Sequence, residues 1–179
     1  MSEVIRDVTS EEYISQAIIA LLNTCPFIDE DISFACLPED GGIAIYPTGG
    51  AVIQSERRSI TDDIRQQCAY SFALVKRSYG YTETRKMSDK ELLDTIGKWL
   101  ERQPVRVIED IIPDGEEEAV PTPVEYILQG YPLLTGGRVI EEISRQSSAQ
   151  IDSITEDQSE LWAINLRLLY RNEFHLIPV

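Results

Sequence analysis

The sequence predicts an α+β fold, an antiparallel or mixed β-sheet covered on one face by two α-helices, with long hairpins and an acidic loop. Three observations predict it. Two segments carry apolar residues at helical spacing behind capping patterns. Two others, 68–75 and 162–171, alternate large and small or apolar and mixed residues as strands do. Short turns rich in glycine separate the remaining apolar runs. A length of 179 residues suits one domain spanning 1–179, long enough to bury a core without cross-links.

The first helix is predicted from Thr9-Ser10-Glu11-Glu12, a Thr-x-x-Glu capping box. Ile14, Ala17, Ile18, Leu21 and Leu22 then share one face, and Cys25-Pro26 ends the run. Residues 33–37, 43–46 and 51–56 read as short strands, with Gly41-Gly42 and Gly49-Gly50 as tight hairpin turns. The clearest strand follows, where Cys68, Tyr70, Phe72 and Leu74 alternate with Ala69, Ser71, Ala73 and Val75. Ser78-Tyr79-Gly80 closes it.

A second helix is predicted to start at Ser88, with Ser88 and Glu91 as a capping box and Met87 and Leu92 as a hydrophobic staple. Leu92, Leu93, Ile96, Trp99 and Leu100 form its buried stripe, and Gln103-Pro104 stops it. Residues 105–112 read as a strand and 113–118 as an exposed acidic loop. Residues 124–134 look extended, Thr135-Gly136-Gly137 turns, and 139–147 carries no decisive period. The last strand alternates Trp162, Ile164, Leu166, Leu168 and Tyr170 with Ala163, Asn165, Arg167, Leu169 and Arg171.

Composition narrows the function classes. Sixteen bases against 31 acids give a net charge of −15, which disfavours a phosphate-binding surface. The charge is banded. Segments 1–56, 57–106, 107–160 and 161–179 carry net charges of −9, +4, −11 and +1. A basic stretch between acidic ones can present complementary faces to a neighbouring copy. No run of 18 apolar residues suggests a membrane span, and Met1 to Thr9 does not read as a signal peptide, so the expected compartment is the cytosol. Cys25, Cys36 and Cys68, an odd set without C-x-x-C spacing, are expected as reduced thiols.

The search for chemistry finds no catalytic, cofactor-binding or metal-binding residues. The single histidine, His175, sits near the C-terminus and reads as a packed tail residue; no G-x-S-x-G elbow, G-x-G-x-x-G loop or phosphate loop is present. Asp29-Glu30-Asp31 fails as a calcium loop because Phe34 stands where an EF-hand needs glycine. The expectation is a protein that is not an enzyme and carries no cofactor.

Two segments carry a resemblance. Tyr70-Ser71-Phe72-Ala73-Leu74-Val75-Lys76-Arg77-Ser78-Tyr79-Gly80 precedes a helix containing Trp99-Leu100-Glu101. Ile154-Thr155-Glu156-Asp157 leads into Leu161-Trp162-Ala163-Ile164-Asn165-Leu166-Arg167-Leu168-Leu169-Tyr170. Together they resemble the tail terminator (tail completion) proteins of tailed bacteriophages, small virion proteins of the Gram-positive type. The likeness covers most of 10–103 and 150–174. The stretch 113–148 is longer and more acidic than the family's and reads as a possible family-specific insertion.

The resemblance implies a homo-oligomeric ring, usually of six subunits, located in the virion tail or neck after assembly in the host cytoplasm. Such a ring caps the tail tube protein, stops its polymerisation and joins the tail to a head–tail connector or neck protein. DNA passes through its lumen without specific binding. Two hypotheses about residues follow. Arg57, Arg58, Lys76 and Arg77 meet acids of the adjacent subunit, and Asp114, Glu116, Glu117 and Glu118 line the lumen or rim. The rival readings are a head-completion or neck protein and an acidic regulatory binding module.

Overall fold

The computed structural model describes residues 9–39, 41–79, 83–115 and 117–176, apart from the side chains of 83–87. In chain order the elements are α1 (Glu11–Leu22), β1 (Ile32–Phe34), β2 (Ile43–Pro47), β3 (Val52–Arg58), β4 (Asp63–Ser78) and α2 (Glu83–Leu100). They continue with β5 (Val105–Ile111), β6 (Val120–Tyr126), a 3-10 turn (Thr135–Gly137), β7 (Val139–Arg145), β8 (Gln150–Ile154) and β9 (Glu160–His175). The expected α+β class is what the chain adopts, with a large mixed sheet, a small second sheet and two helices.

Two strands of 16 residues, β4 and β9, form the spine. They pair antiparallel without interruption from Asp63↔His175 to Ser78↔Glu160. At about 3.3 Å per residue that spine is roughly 50 Å long. Each long strand carries two short ones end to end on its outer side. On β4 these are β2, opposite 72–76, and β3, opposite 64–69. On β9 they are β7, opposite 166–171, and β8, opposite 160–163. β1 adds parallel to β2. β5 and β6 pair only with each other, as a separate two-stranded sheet.

Alternation decides which face is covered. Tyr70, Phe72, Leu74, Ile164, Leu166 and Leu168 point to one side, where Ile14, Ile18 and Leu22 of α1 and Leu93, Ile96 and Leu100 of α2 pack on them. Burying each of these large side chains contributes about 1.5–3 kcal/mol. Among the described residues the opposite face has only a small cluster, Ala73, Val75 and Ala163, backed by Leu37, Tyr46 and Leu161. Gly97 of α2 lies so close to the sheet that a Cβ there would sit 2.5 Å from Arg145 Cδ and 2.8 Å from Ile164 Cδ1.

Several expectations need correction. α1 begins one residue later than the capping box implies. Its N-cap is Ser10, which makes no side-chain cap bond, and Glu12 instead accepts a bond from Gln16. α2 runs through Ser88 from Glu83, because Glu, Arg, Lys and Met in 83–87 are good helix formers and nothing there forces a start. The Met87 half of the proposed staple lies outside the described side chains.

Neither glycine pair closes a hairpin, since β1 runs parallel to β2 on either side of Gly41-Gly42, and Gly49-Gly50 links two strands of one direction. β2 and β3 run in the same direction along β4, and Thr48 N–H donates to the Ser71 carbonyl between them (3.0 Å), so the pair acts as one interrupted strand. β6 starts at Val120, four residues before the predicted extended stretch, and residues 139–145, undecided in sequence, form β7. The stretch 113–148 thus supplies β6 and all of β7, whose Ile140 and Ile143 join the main core.

Candidate functional site

The charged residues singled out in sequence do not form one patch. Arg57 and Arg58 lie on β3, where every residue is exposed. Arg58 Nε bonds Asp62 Oδ1 at 3.1 Å, while Arg57 stands opposite Arg65 in the ladder. Lys76 and Arg77 sit at the other end of β4, roughly 35 Å away at about 3.3 Å per residue.

Lys76 was expected to face solvent or a neighbour, and this is corrected. It is 4% exposed, and its Nζ donates to both carboxylate oxygens of Glu30, at 2.7 and 2.8 Å. Two places after Leu74 on β4, it takes the helix-covered face, where Glu30 meets it. Arg77 is also mostly covered, 3.8 Å from Asp157 and 5.9 Å from the Tyr79 ring centroid. Both charges are matched inside the chain, so Arg57 and Arg58 remain as the accessible cations of the original four.

The acidic loop is exposed at Asp114, Glu117 and Glu118; Glu116 lies outside the described residues. It caps the β5–β6 hairpin, whose outward side shows Ile108 (75% exposed) and Ile112. The β3–β4 hairpin ends likewise in a fully exposed Ile60.

His175 is not packed. It lies on β9 opposite Asp63, its side chain 57% exposed and its Nδ1 2.9 Å from Asp63 Oδ1. Asp63 also accepts from Thr61 Oγ1 (2.7 Å), and that hydroxyl, followed by His175, holds its carboxyl below the ordinary range. The hydroxyls of Ser59 and Thr61 thus bond the carboxylate side of the pair. A catalytic triad needs a nucleophile on the far imidazole nitrogen, and no described residue bonds there.

The cavities tell a similar story. A depression of about 510 Å³ lies between α1 and the β1–β2 edge, lined by Glu11, Ser15, Ile19, Phe34, Pro47 and Tyr70 among others. Its one polar feature of depth is the Ser15 Oγ–Tyr70 Oη bond of 2.7 Å. Burial pushes the Tyr70 phenol up, which keeps it protonated and unfit as a base at neutral pH. Burial likewise raises the Cys25 thiol to about 11 and the Cys68 thiol to a lesser degree, so neither offers a thiolate. Among the described residues no group of three or more His, Cys, Asp or Glu is placed to hold a metal ion.

Sequence reasoning missed Arg138, the largest fully buried side chain. Its guanidinium donates to the Thr135 carbonyl (2.9 Å) and to the Thr9 carbonyl before α1 (2.9 Å), and lies 5.6 Å from the Tyr170 ring centroid. It therefore ties the start of α1 to the start of β7. Glu101 was missed too. It accepts from the Arg145 amide (2.7 Å) and from Arg145 Nε (3.0 Å). No local pattern distinguishes either residue from a surface charge.

No family model matches this chain, and no curated protein sequence matches it. Among the described residues no helix is long and apolar enough to cross a membrane.

Proposed function

We propose that this chain is a virion structural subunit of the tail terminator class, acting without catalysis in a homo-oligomeric ring that caps the tail tube and joins it to the head. The observation that carries the reading is that apolar side chains are exposed on two hairpins. Ile108 and Ile112 lie on the β5–β6 hairpin and Ile60 at the β3–β4 tip. Apolar side chains exposed at these positions leave water when another protein surface covers them, a gain of about 25 cal/mol per Å². The resemblance of segments 70–80 and 154–170 to tail terminator proteins supplies the particular role.

In this reading Arg57 and Arg58 face acids of the next subunit, and the loop with Asp114, Glu117 and Glu118 faces the lumen or rim. Carboxylates there repel the DNA backbone and let it slide. A structure of the assembled ring with that loop on the outer wall removes this part of the proposal.

The test is electron microscopy of lysates from a phage carrying an early stop codon in this gene. Filled heads beside separate, abnormally long tails are the expected result. Normal tails with unjoined heads would move the protein to the neck, and intact infectious particles would leave the acidic binding-module reading in front.

A further inference from the structure

The edges of the main sheet are treated unequally. β7 is closed by side chains and a short bridge. The Ile143 amide donates to Tyr131 Oη (3.2 Å), the Arg145 amide to Glu101, and Leu133 bridges Val139. β2 is covered by β1. In the small sheet, Pro121 and Pro123 lie in β6; proline has no amide to offer, which blunts that edge. β3 and β8 differ. Every residue of both is exposed, and no hydrogen bond from the described residues reaches their free sides. Such a row of unpaired amides and carbonyls is a template for another strand.

We infer that β3 of one copy pairs antiparallel with β8 of the next, an inference that rests on the ring reading above and names its contact. Direction follows from the topology. β3 is antiparallel to β4, β8 to β9, and β4 to β9, so β3 and β8 run in opposite directions. β3 and β8 lie at opposite ends of the spine, Ser55 level with Gln67 and Ser153 level with Arg77. Copies whose sheets continue in the same sense therefore bring the two together antiparallel once each is displaced by about ten residues, roughly 33 Å, along the strands. The contact joins different surfaces, so it repeats from copy to copy and closes into a ring or runs on as a filament.

Register and charge agree with this pairing. Each strand carries one irregularity, at Gln54 between Ile53 and Ser55 and at Asp152 between Ile151 and Ser153. Their own partners assign the faces. Ile53 pairs with Cys68 and Ile154 with Glu160, on the helix-covered face; Ser55 pairs with Gln67 and Ser153 with Leu161, on the open face. Setting Ile53 opposite Ile154 then sets Ser55 opposite Ser153, Glu56 opposite Ile151 and Arg57 opposite Gln150, each on matching faces. Two apolar side chains, 53% and 66% exposed in the single chain, cover one another. Arg57, opposite Gln150, comes within diagonal reach of Asp152.

The test is disulfide trapping in the full chain. Cys36→Ser removes the exposed native thiol, and Ser55→Cys with Ser153→Cys adds one on each edge. Within one subunit these positions are on opposite sides of the sheet, at least three strand spacings or about 14 Å apart, beyond the roughly 7 Å a disulfide can bridge. Oxidation should give a ladder of dimer, trimer and higher species on a non-reducing gel, while each single-cysteine variant stops at dimer. Arg57→Glu should weaken the ladder, and Asp152→Lys in that background should restore it. A chain that assembles without the ladder overturns the edge pairing and leaves the ring reading standing. A ladder that sediments as open filaments keeps the pairing and removes the ring. A chain that stays monomeric and gives no ladder at its highest soluble concentration overturns the pairing as well.

Discussion

The buried Lys76–Glu30 pair gives the sharpest test of how this chain handles its charge. The two partners are unequally placed: the Lys76 side chain is 5% exposed and that of Glu30 is 37% exposed. Removing the partner of a buried charge costs about 3–5 kcal/mol, because the remaining charge is stranded. Solvent already reaches Glu30, so water can partly replace it and the loss in Glu30→Gln should be nearer 1–3 kcal/mol. Lys76→Met keeps the stem's volume and removes the charge that needs a partner, while the Glu30 carboxylate turns to solvent; its effect should stay within about 1 kcal/mol. For a chain of this size about 1 kcal/mol moves Tm by roughly 2–4 °C. Thermal and urea melts followed by circular dichroism should therefore show Glu30→Gln several degrees below wild type and Lys76→Met close to it. Lys76→Met falling as far as Glu30→Gln would refute the reasoning, since the pair would then be a net source of stability.

Three further outcomes follow. Gly97→Ala gains about 1 kcal/mol of helix propensity but forces a Cβ against Ile164 and against Arg145, which Glu101 holds in place; overpacking costs about 1–3 kcal/mol. A lower denaturation midpoint, partly recovered by Ile164→Val, is expected, and a higher one would contradict the close approach of α2 to the sheet. Asp157 is held at about 2, against an ordinary 3.8, by the hydroxyls of Thr155 and Ser159, then by the Ser159 amide and, last, by Arg77. The folded chain therefore binds fewer protons there than the unfolded one, so this contribution is whole above about pH 4 and is lost as pH falls through the folded value. The protection of amides in the β8–β9 turn, relative to their intrinsic exchange rates, should fall over that interval, and Asp157→Asn should already lack it at neutral pH; an unchanged pH profile of protection in the variant would rule the turn out. Of the three thiols only Cys36 is exposed, so a thiol reagent should modify one cysteine in the native chain and all three in urea; rapid reaction at Cys25 would show that α1 opens easily.

The proposed tail-terminator role and the open strand edges are separable. The first concerns a role in a virion; the second concerns how one copy meets another. Trapping Ser55→Cys against Ser153→Cys addresses the second without needing a phage, and the stop-codon lysate addresses the first without needing purified protein.

The sequence by itself determined the local periods and therefore the sidedness of the fold. Ile14, Ile18 and Leu22 at helical spacing, and Tyr70, Phe72 and Leu74 at every second residue, can bury one face only if a helix lies on a sheet. The acidic loop at Asp114, Glu117 and Glu118 was legible for the same reason, since it has no apolar face to bury. What only the tertiary structure decided was which strand lies beside which, and so which charges meet. Ser71 finds Arg167, Ser33 runs parallel to Ala44, and Lys76 meets Glu30, a residue 46 positions away. Alternation says which face a side chain takes but carries no mark of its partner strand. Arg138 and Lys76 therefore read as surface cations until the fold encloses them, and β3 and β8 become open edges only once every other strand has found its neighbour.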